Sequence, residues 1–196
     1  MGLMARGTNY KYRHYNRKSD SQDVPNLLNQ VFTAPEKNKV WVGDITYIPT
    51  NTKTLYLAVF IDIYSRKVVG WSMNTRMKEQ LVIDAFLQAI GKEHPENGLV
   101  VHTDHGAQFT GADFIRTLKE HSAIHSESRK GNPYDNALME SFYRTIKREL
   151  IQDSGFQDPE QARLEIFKYI ETYYNTKRMH SALGYLSPLQ YEAANP

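Results

Sequence analysis

Between Lys39 and Met73 the chain makes three apolar runs, rich in β-branched and aromatic residues, whose connections are too short for anything but hairpins. Val40-Trp41-Val42 leads through Gly43 and Asp44 to Ile45-Thr46-Tyr47-Ile48, where Pro49 and a polar turn through Lys53 stop it. Thr54–Ile63 follows, and after Tyr64-Ser65-Arg66 comes Lys67–Met73. Such a meander predicts a sheet that needs helices on its faces. The sequence supplies them downstream. Val82, Ala85, Phe86, Ala89 and Ile90 recur at helical spacing and end near Gly91. Leu99-Val100-Val101 is wholly apolar, as a buried central strand should be. A second helix fits Gly111–His121, a short strand Ala123–Ser126, and a loop Glu127–Asn136, with Gly131, Asn132 and Pro133.

A long helix is expected from about Tyr134 to Ile151. Asp158-Pro159-Glu160-Gln161 starts another, with an acid to cap it and Pro where no N–H is needed, and it should run to about Tyr174. Ser187-Pro188 starts a last short one. The order β-β-β-α-β-α-β-α-α predicts an α/β fold: a mixed five-stranded sheet flanked by helices, in the order of the ribonuclease H-like fold. Three regions are expected: a basic arm or linker over 1–38, the ribonuclease H-like core over 39–155, and a C-terminal helical extension over 156–196.

Charge and composition narrow the function classes only a little. The net charge of +2 does not by itself announce a nucleic-acid partner. Five basic residues between Arg6 and Lys18, interleaved with Tyr10, Tyr12 and Tyr15 and free of acids, read either as a solvated tail or as an arm along phosphates. With no cysteine, disulfide frameworks and thiolate zinc sites are excluded. The longest apolar runs are far too short to cross a bilayer, so no membrane partner and a cytoplasmic location are expected.

Three acids stand where the apolar pattern gives no structural reason for one. Asp44 interrupts the first strand, Asp104 follows the central strand within His102-Thr103-Asp104-His105-Gly106, and Glu140 sits in the long helix beside Ala137, Leu138 and Met139. Carboxylates near an apolar face are costly unless paired or bound to metal. If the strands lie side by side, Asp44 and Asp104 meet at one edge and the helix brings Glu140 opposite. Hard oxygen ligands of this kind suit Mg²⁺ or Mn²⁺, and two such ions activate a nucleophile and stabilise a leaving oxygen in phosphodiester displacement. Each acid alone has a plainer reading: a turn or edge residue for either Asp, a partner for Arg144 for Glu140.

The separations of 60 residues from Asp44 to Asp104 and 36 from Asp104 to Glu140 resemble the D,D-35-E pattern of insertion-sequence transposases and retroviral integrases. Further segments are similar to the integrase core of the IS-three family of transposases. They include Val40–Tyr47, Asp62–Trp71, His102–Phe109, Tyr134–Phe142 and Tyr174–Tyr185, followed by Ser187-Pro188, and reach from about residue 25 to 190. The resemblance implies a DNA transposase whose Asp44, Asp104 and Glu140 hold two divalent ions for DNA cleavage and strand transfer. It implies transposon ends and target DNA as substrates, a homo-oligomer on DNA, and a bacterial, nucleoid-associated setting. Lys147, which shares a helix face with Glu140, matches a basic position that touches transposon-end DNA in the family. The family carries helix-turn-helix domains upstream, so residues 1–38 would hold a remnant of that region.

Around the trio, Arg129 and Lys130 form a basic loop with Gly131-Asn132-Pro133 that can clamp a DNA backbone. Asn136 reads as a DNA contact, as an orienter of Glu140, or as a helix-start residue with Asp135. Gly106 and Gln108 are expected to shape the loop after Asp104. Arg178 and His180 read as phosphate or structural contacts. His102 and His105 around Asp104 resemble a hydrolytic zinc site, though no further cluster has ligand spacing and His121 and His125 straddle a helix–strand change. Two alternatives to strand transfer stay open: a ribonuclease H-type nuclease, and a truncated, non-catalytic DNA-binding relative that regulates a full-length transposase.

Overall fold

The structure, a computed structural model, describes residues 24–152 and 154–196. The basic run between Arg6 and Lys18 lies outside the described residues. The meander forms as expected: β1 (Val40–Ile48), β2 (Leu55–Asp62) and β3 (Val68–Asn74) pair antiparallel in sequence order. Helix α1 (Glu79–Glu93) then carries the chain across to β4 (Val100–Thr103), and α2 (Ala112–Glu120) to β5 (Ile124–Glu127). Both late strands run parallel to β1, and the sheet order is β3-β2-β1-β4-β5. Parallel pairing follows because each connection contains a helix long enough to bring the chain back to the starting edge.

Strand β2 is buried along nearly its whole length because both of its faces are covered. Ala58 and Phe60 point toward α1 and α2, packing with Trp41, Phe86, Phe109 and Phe114. Leu57, Val59 and Ile61, one residue out of phase, point to the opposite face. There they meet α3 (Ala137–Ile146) and α4 (Pro159–Lys168) through Met139, Phe142, Ile146 and Ile166. Gly70 lets α1 lie against β3: a Cβ there would stand 2.3 Å from the Ala85 carbonyl oxygen.

The helix boundaries differ in instructive ways. The long helix does not begin at Tyr134: Pro133–Asn136 is a tight 3₁₀ turn, because Pro133 lacks an N–H and the Asn132 side chain accepts from Tyr134 N instead. After Ile146 the helix widens into a π-type turn over Lys147–Ile151. Asp158 caps α4 as expected, accepting from Gln161 N at 2.9 Å, and the helix continues through a π-type turn to Tyr174. Ser187 and Gln190 form a reciprocal capping box at α5 (Pro188–Ala194). Ala162, Ile166, Tyr169, Ile170 and Tyr174 belong to the same apolar cluster as the sheet, so the C-terminal segment shares the core rather than standing outside it.

The segment before β1 starts against β5, where Glu127 N donates to the Pro25 carbonyl, and reaches the β2–β3 turn, where Asn38 N donates to Asp62. Leu28 is buried in the α3 and α4 cluster, and Leu27 N donates to Ser126 Oγ at 2.9 Å. Asn26 and Gln30 both donate to the buried Asp135 carboxylate.

Candidate active site

Strands β1 and β4 pair in parallel with Val42 opposite His102 and Gly43 opposite Thr103. Asp44 and Asp104 are the next residue along each strand direction. Neighbouring strands lie about 4.8 Å apart, so the two acids leave the sheet side by side. The carboxyl ends of parallel strands, beside a change in strand direction, are where open α/β sheets gather ligands. Within β1, Val42 and Ile48 face α3, and Asp44 has the same parity. Helix α3 lies over this edge: Asn136 Nδ2 donates to Asp44 Oδ2 at 2.8 Å, and the Tyr143 hydroxyl donates to the Asp44 carbonyl. Glu140, between those two residues on the helix, is exposed.

Asp44 feels both other acids. Burial, and then the neighbouring Asp104 carboxylate, push the Asp44 carboxyl up to about 6, and Glu140 adds in the same direction. The Ile45 N–H, 2.6 Å from Oδ1, and the Asn136 amide pull it partly back. Asp104 Oδ1 accepts from Gly106 N at 2.9 Å, and a Cβ on Gly106 would sit 2.8 Å from that oxygen, so a side chain there would push the carboxylate aside. Gln108 ties the same loop to the Met77 carbonyl. Among the described residues, no group of three or more His, Asp or Glu side chains is gathered so as to hold a metal ion as it stands.

The basic residues expected to meet DNA divide into two kinds. Lys147 lies 5.0 Å over the ring of Tyr47, an exposed side chain near the end of β1, and Lys130 is exposed. Arg129 instead makes a bidentate pair with Asp135, at 2.9 and 2.8 Å, and Arg178 makes one with Glu149. Both guanidiniums are thus paired within the chain. Asn136 bonds to Asp44, a partner the sequence readings did not include.

His102 is buried among Ser126 Oγ, Ser128 Oγ and the Asp135 carbonyl, a structural role that leaves no nitrogen for a metal. His105 pairs with Glu127 at 2.6 Å. Sequence reasoning missed Asp62 and Asp135. Asp62 accepts from the Asn38 and Tyr64 N–H groups and shapes the β2–β3 turn; burial pushes its carboxyl up to about 6. Asp135 accepts from Arg129, Asn26 and Gln30, and the Arg129 guanidinium holds it well below the usual carboxylate range. A turn sequence after a strand pointed to the first; nothing local pointed to the second, whose partners lie up to 109 residues away.

Sequence comparison agrees with this geometry. An integrase core domain model matches residues 34–133, and a second integrase core domain model matches 121–188. The transposase for insertion sequence element IS904 of Lactococcus lactis is 63% identical over 195 residues, covering 100% of this chain and 77% of its own length. Transposase InsF for insertion sequence IS3A of Escherichia coli is 46% identical over 170 residues; the match covers 87% of this chain and 59% of InsF. In fold, the chain is similar to the catalytic core of HTLV-2 integrase solved in complex with magnesium. That match has a TM-score of 0.60 at 20% identity, over 79% of this chain and 96% of that one. It is also similar to a chain of the simian T-cell lymphotropic virus intasome in complex with PP2A regulatory subunit B56 gamma, with a TM-score of 0.64 at 18% identity, over 79% of this chain and 54% of that one. No helix among the described residues is long and apolar enough to cross a membrane. By fold, by family model and by identity to its relatives, the chain belongs to the integrase core family of insertion-sequence transposases.

Proposed function

We propose that Asp44, Asp104 and Glu140 are the catalytic residues of this transposase core, holding two Mg²⁺ or Mn²⁺ ions for cleavage of transposon ends and their transfer to target DNA. The observation that carries this reading is the parallel pairing of β1 with β4, which sets Asp44 beside Asp104 under the helix that bears Glu140. The donor set fits such ions: all the oxygens are hard, and the chain has no cysteine to offer a thiolate. Mutual repulsion among the acids, felt at Asp44, is what a divalent cation relieves. When bound, the ions would supply an activated water or 3′-hydroxyl and neutralise the leaving oxygen.

The chain's own residues prepare the site. Gly106 N donates to one oxygen of Asp104, and the Ile45 N–H to one oxygen of Asp44. Asn136 occupies the second oxygen of Asp44, and would give it up on ion binding. Tyr143, buried and bonded to the Asp44 carbonyl, sets the distance between α3 and β1. Lys147 and Lys130 are the cations with charge to offer a phosphate backbone, and an oligomer on paired ends is the expected assembly.

The test is a nicking and joining assay on DNA carrying transposon ends, in Mg²⁺ or Mn²⁺. Asp104→Asn should lose at least about a thousandfold in rate, since it removes charge that matters most in the transition state. Full activity in that variant overturns the assignment. Hydrolysis without joining would instead assign a nuclease of ribonuclease H type, and binding without either reaction a non-catalytic regulator.

A further inference from the structure

Beside the catalytic helix a cavity of about 560 Å³ opens between α3, the C-terminal end of the α4 segment and the loop that follows it. Phe32, Phe142, Tyr174 and Tyr185 give it aromatic walls, and Arg66 and His180 give it polar ones. Ser141, next in sequence to Glu140, also lines it. Successive helical residues are about 100° apart, so the cavity lies roughly a third of a turn round α3 from the catalytic edge.

Two features set this cavity apart from an ordinary surface hollow. Arg66 is half-buried, yet it makes no ion pair among the described residues; its guanidinium donates to the Phe32 carbonyl at 2.8 Å. The nearby Asp62 carboxylate is turned instead to the Asn38 and Tyr64 N–H groups. A guanidinium partly removed from water, with no ion pair and only the more distant charge of Asp62 to offset it, is costly. Likewise, His180 Nε2 is buried without a hydrogen-bond partner. Burial, followed by the charges of Arg178 and Arg66, pulls that imidazole down to about 4, so it is neutral beside two cations.

The backbone points the same way. Arg66 has φ +62° and Tyr185 φ +66°, a region that suits glycine or asparagine far better than long side chains. Tyr185 is also 68% exposed, so burial does not account for it. The two side chains line one space. Strain kept where it orients side chains is a mark of a working site.

We propose that this cavity receives one unpaired nucleotide of a DNA strand, its phosphate on Arg66 and His180 and its base stacked on Tyr185. Aromatic walls beside an uncompensated guanidinium are the chemistry with which proteins hold single-stranded nucleic acid. Arg178, spent on Glu149, contributes field rather than a free hydrogen-bonding edge. The proposal rests on the chain being a DNA-handling enzyme, and adds that it grips a frayed or flanking strand beyond the catalytic edge.

Fluorescence anisotropy with the 196-residue chain in EDTA tests it, with labelled duplexes that are blunt or carry a short single-stranded overhang. The chain should bind the overhang about tenfold more tightly than the blunt duplex, the size of a single base–aromatic stack. Arg66→Ala should erase that preference. Ala182→Glu should erase it as well, by placing a carboxylate at an exposed lining position without removing an internal contact. Equal binding of the two duplexes by the unaltered chain overturns the proposal, as does a preference that survives in folded Ala182→Glu. Equal DNA binding combined with Ala182-dependent capture of a labelled polyglutamate peptide would assign the cavity to an acidic peptide and overturn it too. Because no metal is present, the result is independent of whether Asp104→Asn abolishes joining.

Discussion

Asp44 shows how a single side chain can carry both the cost and the use of a site. In the folded chain its carboxyl holds its proton up to about pH 6, against 3.8 when free. The unfolded state therefore releases that proton first, and the contribution of Asp44 to stability falls as pH rises from about 4 to about 6. Asp44→Asn should remove this loss and stabilise the metal-free chain at pH 7 by up to about 3 kcal/mol, with little gain at pH 4. Denaturant titrations at the two pH values check it; equal shifts at both would mean that ionisation is not the cause. Added Mg²⁺ should raise the melting temperature of the unaltered chain and not that of Asp44→Asn. At this scale the acids were legible because each interrupts an apolar pattern. Asn136 and Tyr143 were not assigned to Asp44, because an amide before a helix and an aromatic within one have ordinary local explanations. Their bonds to Asp44 span 92 and 99 residues.

At the scale of elements, the site depends on strand direction more than on any one helix. Asp44 and Asp104 adjoin only because β4 returns parallel to β1, and that return is made by α1 packed on β2 and β3. Gly70 is the close point of this packing. Gly70→Ala would drive a Cβ into the Ala85 carbonyl and the Ala89 side chain, neither of which can retreat without moving α1. A loss of about 3 kcal/mol or more is expected, read from thermal or denaturant melts, and DNA joining should fall in the same variant as the two strand ends shift. A melt unchanged within experimental scatter would mean that α1 has room to move. Element types and order could be read from periodicity, since the 2-residue and 3.6-residue patterns were clean. The 3₁₀ start at Pro133 and the π-type turns after Ile146 and Lys168 could not. They settle how a helix seats its side chains against a neighbour, and sequence spacing alone carries no neighbour.

For the whole molecule, the C-terminal segment is part of the body of the core. Ile166, Ile170 and Tyr174 close the α3 side of the sheet. Asn175 bonds through both side-chain atoms to the Val68 backbone, at 2.9 and 3.0 Å. A chain ending at Gln157 should therefore be insoluble or a loosely packed, dye-binding state. A cooperative melt in that truncation would show residues 156–196 to be a dispensable extension. The sequence alone determined the element order, the α/β class and the family, and it singled out the three acids as candidates, because these depend on local pattern and on spacing along the chain. Only tertiary structure decided what each charged side chain faces. It committed Arg129 and Arg178 to carboxylates, left Arg66 without one, and laid the C-terminal helices over the sheet. The physical reason is that an ion pair or a packed face is set by residues up to a hundred or more positions apart, whose meeting depends on how the whole sheet and its helices close on each other.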